Sequence, residues 1–158
     1  MSTAALRCVI SGTDTDVGKT HVTRLLAQGL RALGRTVWLH KPVACGGWDG
    51  ETAEDARDLA DLVSDGQDPN SLCRHQWPEP CSPHLAAALA GDHVESTQLL
   101  AEATALLQPG HDCLIEAAGG LLSPMSADLS SALDMALALE LPLLIVTRPH
   151  LGTLNHTA

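Results

Sequence analysis

The chain has no phenylalanine and no tyrosine, and three tryptophans are its only aromatic rings in 158 residues. A core built without those rings must be aliphatic, and alanine, leucine and valine supply it. Bases are scarce too: nine Lys and Arg stand against nineteen Asp and Glu, a formal net charge of −10. That balance argues against nonspecific binding to nucleic acid or to an anionic membrane surface, which needs a basic face. No apolar run approaches the ~20 residues that cross a bilayer. The N-terminus lacks a basic segment followed by an apolar stretch and a small-residue cleavage site, so a cytoplasmic protein is expected. The five cysteines (Cys8, Cys45, Cys73, Cys81, Cys113) include no Cys-x-x-Cys pair, and their odd number reads as free thiols in a reducing compartment. The eight histidines are scattered without a metal-binding pair, and His84 and His156 read as structural or substrate-facing.

What is present is a loop. Residues 12–20 read Gly-Thr-Asp-Thr-Asp-Val-Gly-Lys-Thr, directly after an apolar stretch at 6–10 and directly before a helical pattern. Strand, glycine-bearing loop, Lys-Thr and helix in that order form a phosphate-binding P-loop. Inward backbone amides and the positive end of the helix together hold a polyphosphate. Lys19 can reach the outer phosphates as a compact cation, and the Thr20 hydroxyl is placed to ligate a magnesium ion bridging them. The usual spacing puts the first glycine at position 13, which is Thr13; Gly12 lies one residue early, so the loop is a variant.

The rest of the chain alternates strand and helix. Strands are expected at 5–11, 36–40, 112–116 and 141–147. Helices are expected at 19–33, 51–64, 84–90, 95–107 and 129–140, with another beginning beyond His150. On the first helix Val22, Leu25, Leu26, Leu30 and Leu33 share a face, and Gly34 stops it. The fourth strand is a near-continuous apolar run of the kind buried on both faces. Residues 41–50 and 117–126 are Gly/Pro loops, and 65–83 read as an irregular excursion. No repeat or linker divides the chain. The expectation is a single α/β domain with a P-loop NTPase-like parallel sheet and helices on both faces. In such sheets ligands bind beyond the carboxyl ends of the strands, so the loops beginning at Gly12, Lys41, Ala117 and Arg148 should converge.

Those loops carry the chemistry. Lys41 directly follows the second strand, where a cation suits a developing phosphoryl charge. Glu116 closes the third, where an acid can hold magnesium directly or through water. Gly119 and Gly120 let backbone approach a ligand closely. Residues 49–68 hold eight acids and one base, Arg57, and so −7 of the net charge. They read as an amphipathic helix whose inner face is Ala56, Leu59, Ala60, Leu62 and Val63. Glu54, Asp58, Asp61 and Asp65 form its solvated stripe. Asp55 falls out of phase, towards the inner face, where an acid wants a partner or a metal.

With these motifs in order, the chain resembles the dethiobiotin synthase family. The resemblance rests on residues 12–20, Lys41-Pro42-Val43, Glu79-Pro80-x-Ser82-Pro83-His84, Glu116-x-Ala118-Gly119-Gly120 and Leu151-Gly152-Thr153-Leu154-Asn155-His156. It implies closure of a cyclic urea on diaminopelargonate, with carbon dioxide and ATP, by way of a phosphorylated carbamate. By position it implies that Asp16, Val17, Gly18, Lys19, Thr20 and His21 line the nucleotide phosphates. Glu116, Ala117, Ala118 and Gly119 would line the nucleotide as well, with Asp55 also at the nucleotide. Thr20, Asp55 and Glu116 would hold Mg2+. Lys41 would be the catalytic lysine acting with Lys19, and Thr15 would sit beside the diamine or carbamate. The family also implies a homodimer, with residues 82–84 and 151–156 as candidates for the shared edge.

Three departures stand out. Cys45 replaces a serine that the family commonly uses to contact substrate, and a thiol is a weaker hydrogen-bond partner. Ala117 replaces a glycine and is expected to crowd the turn. The family continues past position 158 for several elements, including the base-reading loop, so a chain incomplete at its C-terminus is expected, with poor base discrimination. The rival readings are another P-loop ATPase, such as a partition-type protein, and a nonenzymatic nucleotide-binding remnant. Partition-type proteins carry a further lysine five positions before the P-loop lysine, and here that position is Asp14.

Overall fold

A computed structural model of the protein describes residues 4–63 and 67–158. Four parallel strands make the central sheet: β1 (Arg7–Gly12), β2 (Val37–His40), β5 (Asp112–Glu116) and β6 (Leu143–Val146), in the order β2-β5-β1-β6. Parallel neighbours need crossovers, and the helices supply them: α1 (Lys19–Ala32), α2 (Glu54–Ala60), α3 (Pro83–Leu89), α4 (Ser96–Leu106) and α5 (Ala132–Ala138), with α6 (Thr153–Thr157) following β6. The period of two along each strand sorts the core into two layers. Cys8, Ile10, Leu39 and Leu114 face one cluster with Ala27 and Leu30 of α1 and Ala56 and Leu59 of α2. Val9, Cys113 and Ile115 face the other, with side chains of α3, α4 and α5. Helices therefore cover both faces of the sheet, as the alternation of elements implied.

Register brings the site together. Ile10 lies beside Glu116, His40 beside Ile115 and Gly12 beside Val146. The residues just past these strand ends therefore share one edge of the sheet.

Several expectations need correction. Residues 43–45 and 75–77, read as loop and irregular excursion, are two short strands, β3 (Val43–Cys45) and β4 (His75–Trp77), paired parallel in a second sheet. Three residues are too few to show a period. On α1 the buried positions are Lys19, Thr23, Ala27 and Leu30, whereas Leu25 and Leu33 are 55% and 76% exposed. The helix α2 starts later than expected because the Asp49 side chain accepts the amides of Glu51 and Thr52, which holds that stretch as a turn. Ala60 is exposed there, while Leu62 is buried just beyond the helix end. Ser64 and Asp65 lie outside the described residues. The expected helix at 129–140 begins only after Ser131, because Leu129 takes a left-handed backbone angle. Within β6 only Val146 is buried, since the strand sits at the sheet edge and, among the described residues, pairs with β1 alone.

Candidate functional site

The loop between β1 and α1 explains its own glycine spacing. A Cβ on Gly12 would lie 2.6 Å from Val17 Cγ2 and 3.2 Å from the Val146 carbonyl. The loop folds back over position 12, so the glycine is needed there, and Thr13 can occupy the usual place. Asp16 and Gly18 both take left-handed angles, a turn that directs successive amides to one side. Helix α1 opens at Gly18 with no side-chain cap and no acid in its first turn, leaving its positive end free for an anion. Lys19 is buried and its Nζ donates to the Asp14 carbonyl at 3.0 Å, folded over its own loop.

Beneath the loop lies a cluster of charges. Lys41 leaves the end of β2 and is fully buried; its Nζ donates to Glu116 Oε1 at 2.9 Å and to Asp55 Oδ2 at 2.7 Å. Glu116, at the end of β5, is also fully buried. The Thr20 hydroxyl, one step into α1, stands 2.7 Å from Glu116 Oε1 and 3.1 Å from Asp55 Oδ1. The Asp55 side chain is 53% exposed and closes the cluster from α2. Burial pulls the Lys41 ammonium down, but the charges of Glu116 and Asp55 outweigh it and hold its pKa above the ordinary lysine range. Burial pushes Asp55 up, and the Lys41 cation outweighs that, so its carboxyl titrates below the usual range. Burial, then the Lys41 ammonium, lowers the pKa of Lys19.

A cavity of about 570 Å³ opens above the cluster. Of the residues singled out in the sequence, Thr15, Asp16, Gly18, Lys19, Thr20, Cys45, Asp55, Ala118 and Gly119 line it. Lys41 and Glu116 sit below its wall. Besides these two, Val17, His21 and Ala117 are not among its lining residues. The Val17 side chain packs into the core against Gly12, and His21 is exposed and does not line the cavity. Ala117 is fully buried and its amide donates to the Ile10 carbonyl, continuing the strand. Its backbone angle is ordinary, so it does not crowd the turn. The left-handed position is Gly119, where a Cβ would lie 2.7 Å from Ser123 Oγ. Burial, then the neighbouring Cys81, pushes the Cys45 thiol up to about 12, so it stays protonated and donates weakly.

Reading the sequence missed other lining residues, among them Glu54, Asp58, Cys81 and Ser123. Glu54 and Asp58 belong to the acidic stripe, which periodicity assigns to solvent. No sequence signal marks Cys81 or Ser123. Ser82 and Pro83, expected at an edge shared with a partner subunit, line this cavity.

The oxygen donors suit a divalent cation. Glu116 Oε2 is buried without a hydrogen-bond partner, an acceptor with capacity to spare. Two carboxylates and a hydroxyl, with no nitrogen or sulfur among them, are ligands for magnesium rather than zinc. Among the described residues no group of three or more His, Cys, Asp or Glu gathers for metal binding, so any metal here needs oxygens from a bound phosphate and water.

A family described as an AAA domain matches residues 7–158. The chain is similar to ATP-dependent dethiobiotin synthetases. It is 40% identical over 152 residues to the one from Lysinibacillus sphaericus, covering 94% of this chain and 65% of that protein. It is 44% identical over 151 residues to that of Mycobacterium avium, covering 95% and 65%. With that of Bacillus cereus (strain B4264) it is 37% identical over 148 residues, covering 94% and 61%. The chain thus spans somewhat under two thirds of the length of these relatives.

Proposed function

The chain belongs to the AAA domain family, and from its similarity to ATP-dependent dethiobiotin synthetases we propose that its site performs the ATP-dependent closure of a cyclic urea. The substrates are 7,8-diaminononanoate, carbon dioxide and ATP, and the products are dethiobiotin, ADP and phosphate, a step of biotin biosynthesis. The observation that carries this reading is the meeting of Lys19, Lys41, Thr20, Asp55 and Glu116 under one cavity at an uncapped helix start.

Each residue has a task in that reaction. One amine of the diamine and carbon dioxide form a carbamate. A carbamate oxygen attacks the γ-phosphorus and ADP leaves. The second amine then attacks the carbonyl carbon, the C–O bond to phosphate breaks, and the ring closes. The start of α1 and the turn at Asp16 and Gly18 hold the phosphates. Lys19 leaves the Asp14 carbonyl to meet their outer oxygens. Lys41 offsets the charge shared by the carbamate and the moving phosphoryl group. Thr15 and Cys45, which both line the cavity, orient the diamine. Thr20, Asp55 and Glu116 would hold Mg2+, which neutralises phosphate charge when bound. Positioning and neutralisation suffice, because the reaction asks for no strong base. The assembly belongs to this reading as a homodimer.

The test is to supply the purified protein with ATP, magnesium and bicarbonate, with and without the diamine. ADP release should depend on the diamine, with dethiobiotin appearing by mass spectrometry. Diamine-independent ADP release without dethiobiotin points to a hydrolytic P-loop ATPase and rejects the reading.

A further inference from the structure

The ammonium of Lys41 takes up the same oxygens that a divalent cation would use. Its Nζ reaches Glu116 Oε1 at 2.9 Å and Asp55 Oδ2 at 2.7 Å, and Thr20 Oγ1 touches both acids. Glu116 and Lys41 are fully buried, so neither charge is solvated, and each depends on the other for compensation. We propose that Lys41 is a resident counter-cation: in the nucleotide-free protein it holds Asp55 and Glu116 together and keeps free divalent cations out.

The charges support this. Lys41 pairs with both carboxylates and the charge of Lys19 also acts on them, so these two acids already have cationic compensation. A bare divalent ion would add two positive charges next to two ammoniums in a buried place. A metal carried by a polyphosphate brings its own compensating charge, and the phosphates give both lysines a new partner. As the metal takes the carboxylate oxygens, Lys41 is released towards the transferring phosphoryl group. The lysine thus assembles the ligands in advance and makes metal binding conditional on nucleotide. Glu116 Oε2, buried and unpaired, is an acceptor that neither Lys41 nor Thr20 uses.

This inference rests on the proposed magnesium–nucleotide site but not on the diamine reaction. Its test uses Mn2+ followed by electron paramagnetic resonance, in wild type and in Lys41→Met and Lys41→Arg variants. Wild type should bind Mn2+ at least about tenfold more tightly with ADP than without it. Without nucleotide, Lys41→Met should bind Mn2+ at least about tenfold more tightly than wild type, and Lys41→Arg, which keeps the charge, should not. Wild-type measurements alone decide the matter if Lys41→Met fails to fold: equal Mn2+ affinity with and without ADP overturns the proposal. A folded Lys41→Met with no gain in nucleotide-free Mn2+ affinity also overturns it. Gain of Mn2+ binding in Lys41→Met beside a wild type that makes no dethiobiotin would leave this role standing while rejecting the proposed reaction. Dethiobiotin formation without the gain would do the reverse.

Discussion

Lys19 and Lys41 are both buried cations of one site, but they have different partners, and the difference predicts different defects. Lys19 spends its charge on a loop carbonyl, so Lys19→Ala should weaken ATP binding and turnover together. Lys41 is bound to carboxylates, and its charge matters most as the phosphoryl group moves, so Lys41→Ala should slow single-turnover transfer more than it weakens ATP. Loss of affinity without loss of rate in Lys41→Ala would refute that division. Lys41→Ala should also cost about 3 kcal/mol of stability, because Glu116 is left buried and uncompensated. A second prediction concerns His40, which lies buried with Nδ1 3.2 Å from the Ser71 carbonyl. Burial holds its pKa down at about 4, so between about pH 6.5 and 4 the unfolded chain takes up a proton that the native state refuses. Stability from this group is therefore present above pH 6.5 and is lost on acidification, by up to about 3 kcal/mol. Urea unfolding from pH 7.5 to 4.5 should show that slope, and His40→Gln should flatten it. The cluster residues were legible because a P-loop, a strand-end lysine, a strand-end acid and an out-of-phase acid each break a simpler pattern. The side chains of Val17, His21 and Ala117 lie away from the cavity; position in a motif says nothing of where a side chain points.

Helix α1 shows what periodicity reads and what it misses. Its buried row runs Lys19, Thr23, Ala27 and Leu30, so an ammonium and a hydroxyl occupy places that an apolar template would give to leucine. Thr23 satisfies its hydroxyl on the Lys19 carbonyl at 3.0 Å, one turn back, which makes burial affordable. The leucines at 25 and 33 are left in solvent. Leu33→Gln should accordingly change the urea midpoint of unfolding by no more than about 0.5 kcal/mol of stability. Ala27→Leu should cost about 1–3 kcal/mol, because the α1–sheet layer has no room at a fully buried alanine. Comparable losses from both would mean that the helix is rotated from this arrangement. Helix α5 is anchored differently. Asp134 Oδ2 accepts the Ser131 amide at 2.8 Å and the Ser131 hydroxyl at 2.6 Å, and the Asp134 amide points back to Ser131 Oγ. This reciprocal cap predicts a loss of about 1 kcal/mol for Ser131→Ala in the same measurement. The cap was invisible to the helical pattern, which ran on through Leu129. By contrast β3 and β4 carried no readable pattern at all: they exist because Val43 and Ala44 pair with His75 and Gln76, residues more than thirty positions away.

At the scale of the whole molecule the parallel sheet and the two helical layers were legible, because strands separated by helices leave few other arrangements. Burial of the edge was not. The strand β6 reads as fully buried from composition, yet Leu143, Leu144 and Ile145 are only partly covered, and α6 contributes no buried residue. Leu151 is fully exposed, Leu154 is 84% exposed and Leu122 70%. Leu151 and Leu154 follow β6, the edge strand, and Leu122 lines a cavity with Leu121, Ile145 and His156. An apolar patch next to an open parallel edge is a surface that water does not favour and another chain can cover. The prediction is reversible self-association that strengthens with protein concentration and with salt, since net charge of −10 opposes it and screening removes that opposition. Leu151→Glu combined with Leu154→Glu should shift the population to monomer in sedimentation-velocity runs. The far-UV circular dichroism should not change, because neither leucine contributes to the core. A wild-type protein that stays monomeric across the concentration series would rule out this edge as an interface. Association undiminished in the double variant would place the contact elsewhere on the molecule.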